Sequence, residues 1–161
     1  MTFDARFRAD QTSIGEERSP RQKWMAVLAR ASASELEAII ARHGGIPDHV
    51  VLKPVEVGTV MIEGRAGGTG ARFNAGEATV TRSVIRLANG NLGFSLALGT
   101  DRRKALLAAI LDACLQIAPS GKGLHAEIDA LSIQQAAARD LASRKAARTK
   151  VEFFTMVRGA D

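Results

Sequence analysis

The residues best suited to chemistry lie between Arg65 and Arg82, where Gly67, Gly68, Gly70 and Gly76 are interspersed with Arg65, Arg72 and Arg82. Glycine lets a backbone take positive φ and approach a ligand closely, and arginine brings fixed, fork-shaped positive charge. With the Thr69 hydroxyl, this describes a loop whose amides and arginines face an anion or a partner surface. The same glycines would serve as a bend that re-aims the chain between strands, and on residues alone both readings stand. Gly67-Gly68-Thr69-Gly70 is not a Walker loop, because no Gly-Lys-[Ser/Thr] follows and the segment leads into a strand instead of a helix N-terminus. That strand runs from Thr79 to Leu87. Period-two alternation puts Thr79, Thr81 and Ser83 on one face and Val80, Arg82, Val84 and Arg86 on the other. Arg82 and Arg86 thus reach toward a common site or serve in ion pairs.

No other constellation qualifies. His43, His49 and His125 are scattered without i, i+4 partners, so no metal ligand is assigned. Glu63, Glu77, Glu127, Asp129 and Asp140 form no motif-spaced pair, and Gly93-Phe94-Ser95 lacks the surroundings of a nucleophile elbow, so no catalytic residue is assigned either. Cys114 is the single cysteine and sits among Ile110, Leu111, Leu115 and Ile117, the setting of a buried, inert thiol. No intrachain disulfide can form, and a reducing compartment is expected. The first twenty residues carry charges without a continuous apolar region, and the longest apolar run, Ala105 to Leu111, is too short to span a bilayer. A cytoplasmic location without membrane contact is expected. The formal charge of +5 invites a nucleic-acid reading, but one Trp, no Tyr and six Phe provide no row of stacking platforms.

The elements that must position the loop can be read in order. Residues 1–18 mix charges without periodicity and read as a disordered arm, leaving 19–161 as a single domain. Ser19-Pro20 starts a first helix through Trp24, Val27, Leu28 and Ala31, with Trp24 as a core anchor. A second helix runs from about Ser34 to Arg42 and stops at His43-Gly44-Gly45. Val50, Leu52, Val55, Val57, Val60 and Ile62 suggest two strand segments, interrupted at Pro54 and bent near Gly58. After the strand ending at Leu87, Ala88-Asn89-Gly90-Asn91 is a hairpin signal, both central residues tolerating positive φ. The return strand, Leu92 to Leu98, places Phe94, Leu96 and Leu98 on one face, which is expected to bury against helices. Thr100 or Asp101 caps a third helix to about Ala118, carrying an apolar stripe. A fourth helix begins near Leu124, with Ile128, Leu131, Ala138 and Leu141 facing inward and a basic run through Arg139, Arg144, Lys145, Arg148 and Lys150 that is either solvated or a docking surface for an acidic partner. The expected class is α+β, a mainly antiparallel sheet of about four strands packed with N-terminal and C-terminal helices. The closing segment with Phe153, Phe154, Met156 and Arg158 is apolar and β-prone, a candidate interface that completes this domain's sheet or docks on another subunit.

Taken together, Arg21-Gln22-Lys23-Trp24-Met25, Gly67-Gly68-Thr69-Gly70 with Arg72-Phe73, Gly76 to Arg82, Leu92-Gly93-Phe94-Ser95 and Phe153 to Gly159 resemble the PhnG family, subunits of the bacterial carbon-phosphorus lyase system. The resemblance covers nearly the whole chain after Pro20. It implies a core complex with PhnI, PhnH and PhnJ, to which PhnL and PhnK can add. It further implies that PhnI, assisted by PhnG, PhnH and PhnL, displaces adenine from ATP by an alkylphosphonate, giving a ribose 1-phosphonate 5-triphosphate. PhnJ then breaks the carbon-phosphorus bond with S-adenosylmethionine and an iron-sulfur cluster. This chain, with one cysteine, cannot hold such a cluster alone, and no cofactor is expected on it by itself. Two roles follow for the loop, with the subunit-contact role preferred: either it buries against a partner subunit, or Arg65, Arg72 and Arg82 bind substrate charge.

Overall fold

A computed structural model describes residues 18–66, 69–117 and 122–149. The N-terminal arm apart from Arg18, Gly67, Gly68 and the closing segment with Phe153, Phe154, Met156 and Arg158 lie outside the described residues. The described residues form seven elements in order: α1 (Pro20–Leu28), α2 (Ala33–Arg42), β1 (His49–Arg65), β2 (Arg72–Leu87), β3 (Leu92–Leu98), α3 (Arg102–Leu115) and α4 (Lys122–Ala147).

Local sequence accounts for the helix starts. Ser19 and Gln22 exchange side-chain and backbone hydrogen bonds in a capping box, with Pro20 in the first turn. Ser32 and Glu35 repeat the device, so α2 begins one residue ahead of the expected Ser34. Of the two expected caps for α3, Asp101 is the one that accepts the Lys104 N–H. Gly44 and Gly45, at φ of 92° and 84°, turn the chain out of α2.

Among the described residues the sheet is antiparallel, in the order β1-β2-β3, with three strands where about four were expected. The two segments expected between His49 and Glu63 are one strand of 17 residues, whose register against β2 slips between Val51 and Glu56 around Pro54. Proline lacks the N–H of a ladder bond, and on an outer strand a bulge absorbs it without ending the strand. The Arg102 guanidinium holds the irregularity by donating to the Val55 carbonyl at 2.6 Å. In the β2–β3 turn only Gly90 takes positive φ, while Asn89 accepts the Asn91 N–H through its side chain.

α3 lies at the centre. It is buried almost all round, with Leu107, Ile110, Leu111, Leu115 and four alanines below 3% exposure, where a single apolar stripe was expected. The sheet, α1 and α2 all pack against it, and α4 joins the same core through Leu124, Ile128 and Leu131. The sheet face against α3 carries Thr81, Ser83, Ile85 and Leu87 of β2 and Gly93, Ser95 and Ala97 of β3. Phe94, Leu96 and Leu98, expected to bury against helices, point the other way. The reason is distance: a Cβ at Gly93 would fall on the Ala109 carbonyl oxygen, so only very small side chains let this helix lie on this strand. Ala138 and Leu141 of α4 are also exposed against expectation, because the helix continues past the last described element it packs on.

Candidate subunit interface

Cross-strand partners share a face of the sheet, so the register defines the surface opposite the helices. Successive rows are Val50-Arg86-Leu92, Lys53-Val84-Phe94, Glu56-Arg82-Leu96 and Gly58-Val80-Leu98. Leu92, Leu96 and Leu98 are 51%, 42% and 70% exposed, and Val50 is 57% exposed. From strand spacings of about 4.8 Å and a rise of about 3.3 Å per residue, these rows cover roughly 300 Å² in projection, apolar along β3 and at Val50 and charged at Arg86, Lys53, Glu56 and Arg82, an exposed apolar strip beside charged neighbours that suits contact with a protein partner. Phe94 and Leu96 also line a cavity of about 290 Å³ between β3 and α1, closed by Met25, Ala29 and Ala108.

The residues singled out in the sequence do not converge. Arg72 and Arg82 stand ten residues apart on one continuous strand, about 33 Å at strand rise, too far for one small ligand. Arg82 donates to Glu56 at 2.8 and 3.0 Å, and this contact, with help from Lys53, holds the Glu56 carboxyl below its usual range. Arg72 approaches Glu63 at 3.5 Å. Arg65 pairs in register with Arg72 and donates to the Gly70 carbonyl at 3.4 Å. Arg86 is exposed between Val50 and Leu92 and forms no ion pair with another described residue. Gly70 and Thr69 belong to the turn joining β1 to β2. There the Gly70 N–H donates to the Ala66 carbonyl, and a Cβ at Gly70 would lie 2.5 Å from that oxygen, so this glycine serves the bend. Thr81 is buried and its hydroxyl donates to the Gly99 carbonyl at 2.6 Å, which removes it from any contact surface. Thr79 is exposed opposite Thr59.

The structure adds a residue that the sequence analysis passed over. Asp112 is wholly buried and accepts from Arg21 Nη2 at 2.7 Å and Nε at 3.2 Å, Trp24 Nε1 at 2.9 Å, the Phe94 N–H at 3.0 Å and Gln116 Nε2 at 3.3 Å. Its partners come from α1, β3 and the end of α3, and it raises the Arg21 pKa through the direct hydrogen bond. Gln116 also donates to the Leu92 carbonyl, so α3 satisfies outer-edge groups of β3. A carboxylate in the middle of an apolar helix was the available signal.

The rest of the surface is ordinary. Burial pushes the Cys114 thiol up, which keeps it protonated and unreactive at neutral pH. Glu127 of α4 is held below the usual carboxylate range chiefly by Arg42, at 2.8 Å, with His43 nearby at 3.2 Å. Among the described residues no three His, Cys, Asp or Glu side chains gather as a metal ion requires, and no helix is long and apolar enough to cross a membrane.

Comparison with known proteins places this arrangement. The family model described as phosphonate metabolism protein PhnG matches residues 19–159. The α-D-ribose 1-methylphosphonate 5-triphosphate synthase subunit PhnG of Rhizobium meliloti (strain 1021) is 40% identical over 163 residues, covering 99% of both chains. The stretches that carry the sequence resemblance now have structural work: Arg21 and Trp24 bind Asp112, and Gly93 admits α3. With a match across most of its length and a relative aligned over nearly all of both chains, this chain belongs to the phosphonate metabolism protein PhnG family.

Proposed function

We propose that this chain is the PhnG subunit of an α-D-ribose 1-methylphosphonate 5-triphosphate synthase and works by assembly, through the outer face of its sheet. The observation that carries the reading is that face, with Leu92, Leu96, Leu98 and Val50 in solvent while the small residues of β3 fill the core side. Burying it against a partner removes apolar surface from water at about 25 cal/mol per Å². The separation of Arg72 from Arg82, and the Glu56 carboxylate already bound to Arg82, favour this role over a shared substrate-binding pocket on this chain.

In this reading the partners are PhnI, PhnH and PhnJ, with PhnL and PhnK joining, in the cytoplasm. ATP and an alkylphosphonate react on the assembly, with PhnI displacing adenine. S-adenosylmethionine and an iron-sulfur cluster serve PhnJ in the later carbon-phosphorus cleavage. The test is adenine release from ATP and methylphosphonate by co-purified complexes carrying the wild-type chain or Leu96→Asp, each profiled by size exclusion. Loss of release in step with loss of this chain from the complex supports the reading. Loss of release from an intact complex would place the face at the substrate and overturn it.

A further inference from the structure

α4 outruns the body it packs on. Gln135 donates to the Val27 carbonyl of α1 at 3.1 Å. From there to Ala147 the helix runs on for about 18 Å at helix rise, and every residue from 137 to 149 is exposed. This arm carries Arg139, Arg144, Lys145 and Arg148 against one acid, Asp140, and none of the five makes an ion pair with another described residue. Lys150 of the same basic run lies outside the described residues. The Arg148 N–H still donates to the Arg144 carbonyl, so it keeps the helical course, and Leu141, Arg144, Lys145 and Arg148 fall within about 100° of the helix surface. Arg139 and Asp140 lie off that face. Leu141 and Ile133, 53% and 72% exposed, supply its apolar part. A segment exposed all round draws nothing from packing, and the like charges of Arg144 and Lys145 with Arg148, four and three residues on, repel along the helix.

Resting on the subunit reading above, we propose that this arm is a second point of attachment: it lies in a groove on another subunit of the synthase, with an apolar floor under Leu141 and Ile133 and carboxylates around Arg144, Lys145 and Arg148. Charge and face together select that occupant. A second copy of this chain has few carboxylates to give, since Glu37, Glu56 and Glu127 are already answered by Arg103, Arg82 and Arg42, and Asp112 is buried. A nucleic-acid backbone would meet the cations but leave Leu141 and Ile133 in water, and the arm has no aromatic ring on which a base could stack. An acidic protein groove answers both kinds of side chain, and the alanines of the arm let it close around the helix.

The full chain, co-purified with the remaining synthase subunits, provides the test, by amide hydrogen exchange, zero-length carbodiimide cross-linking and affinity. Amides of residues 137–149 should exchange at least about tenfold more slowly in the complex than in the free chain. Lys145 should cross-link to an Asp or Glu of another subunit. Arg144→Glu with Lys145→Glu and Arg148→Glu should weaken assembly at least about tenfold, less so as salt rises, and Leu141→Ser should weaken it without that salt dependence. These side chains lie in solvent, and should a variant unfold, the wild-type exchange and cross-links still decide. A wild-type complex whose arm exchanges as in the free chain overturns the arm's role while leaving the subunit reading intact. Failure of the wild-type chain to co-purify overturns both. A charge-reversed chain that loses helix when free yet assembles like the wild type would assign the cations to the helix's own C-terminal dipole and sink the proposal. Protection of the arm in the free chain by duplex or single-stranded nucleic acid, or by self-association, would sink it as well.

Discussion

Trp24 of α1 and Asp112 of α3 are joined by a 2.9 Å hydrogen bond from the indole Nε1 to a carboxylate that no solvent reaches. The same carboxylate accepts from Arg21 and from the Phe94 N–H, so one side chain ties a helix and a strand edge to the central helix. Asp112→Ala leaves those donors without their acceptor and should cost about 2–4 kcal/mol of stability, read from urea unfolding. Trp24→Phe keeps the ring and loses one bond, about 1 kcal/mol. Arg21 is partly exposed where Asp112 is wholly buried, and Arg21→Ala should cost less than Asp112→Ala. A midpoint unchanged in Asp112→Ala would refute the clamp.

Gly93→Ala should cost about 3 kcal/mol or more, because the added methyl meets the Ala109 carbonyl and the Ala113 Cβ together. Gly58→Ala, at a site with open space, is the matched control and should stay within about 1 kcal/mol. Equal melting temperatures for the two variants would contradict the close approach of α3 to β3.

Leu98→Asp should leave the stability of the isolated chain within about 0.5 kcal/mol, since the side chain is 70% exposed, while Ser95→Leu on the opposite face should destabilise it by at least about 2 kcal/mol. Thermal melts of the isolated chain decide this. The reverse ranking would mean that the two faces of β3 are exchanged.

Arg72→Ala and Arg82→Ala should act independently, with a coupling below about 0.5 kcal/mol in a double-mutant cycle on complex formation, because about 33 Å separates them. A coupling well above that would show that both reach one ligand.

Acid should weaken the fold through its paired carboxylates. Glu35 is held down by the Ser32 backbone N–H, Glu56 by Arg82 and Glu127 by Arg42. Folded values below the unfolded value of 4.5 make their contribution complete above that pH and lost as pH falls through the lowered values. The urea midpoint should therefore be level near about pH 6 and fall below about pH 4.5, with a smaller fall in Glu127→Gln. A midpoint that held or rose on acidification would contradict these assignments.

What the sequence determined by itself is local. Ser19, Ser32 and Asp101 cap helices because a side-chain oxygen meets the first free amides within three residues, and Gly90 makes a turn because only one backbone region closes it. The α+β class and the two faces of β2 follow from the same short-range periodicities. Tertiary structure decided which face of β3 became core. Alternation separates Gly93, Ser95 and Ala97 from Leu92, Phe94, Leu96 and Leu98, and burial of large apolar groups argues for the wrong set. The outcome turned on how closely the alanine-lined α3 could lie on the strand, a distance between segments that no local pattern encodes. Pairing with β2 on both sides of the irregularity likewise carried β1 past Pro54, and the length of β2 separated Arg72 from Arg82, while the packing of α1 on α3 brought Arg21 and Trp24 to Asp112 across about ninety residues of chain, where burial gave each donor its acceptor.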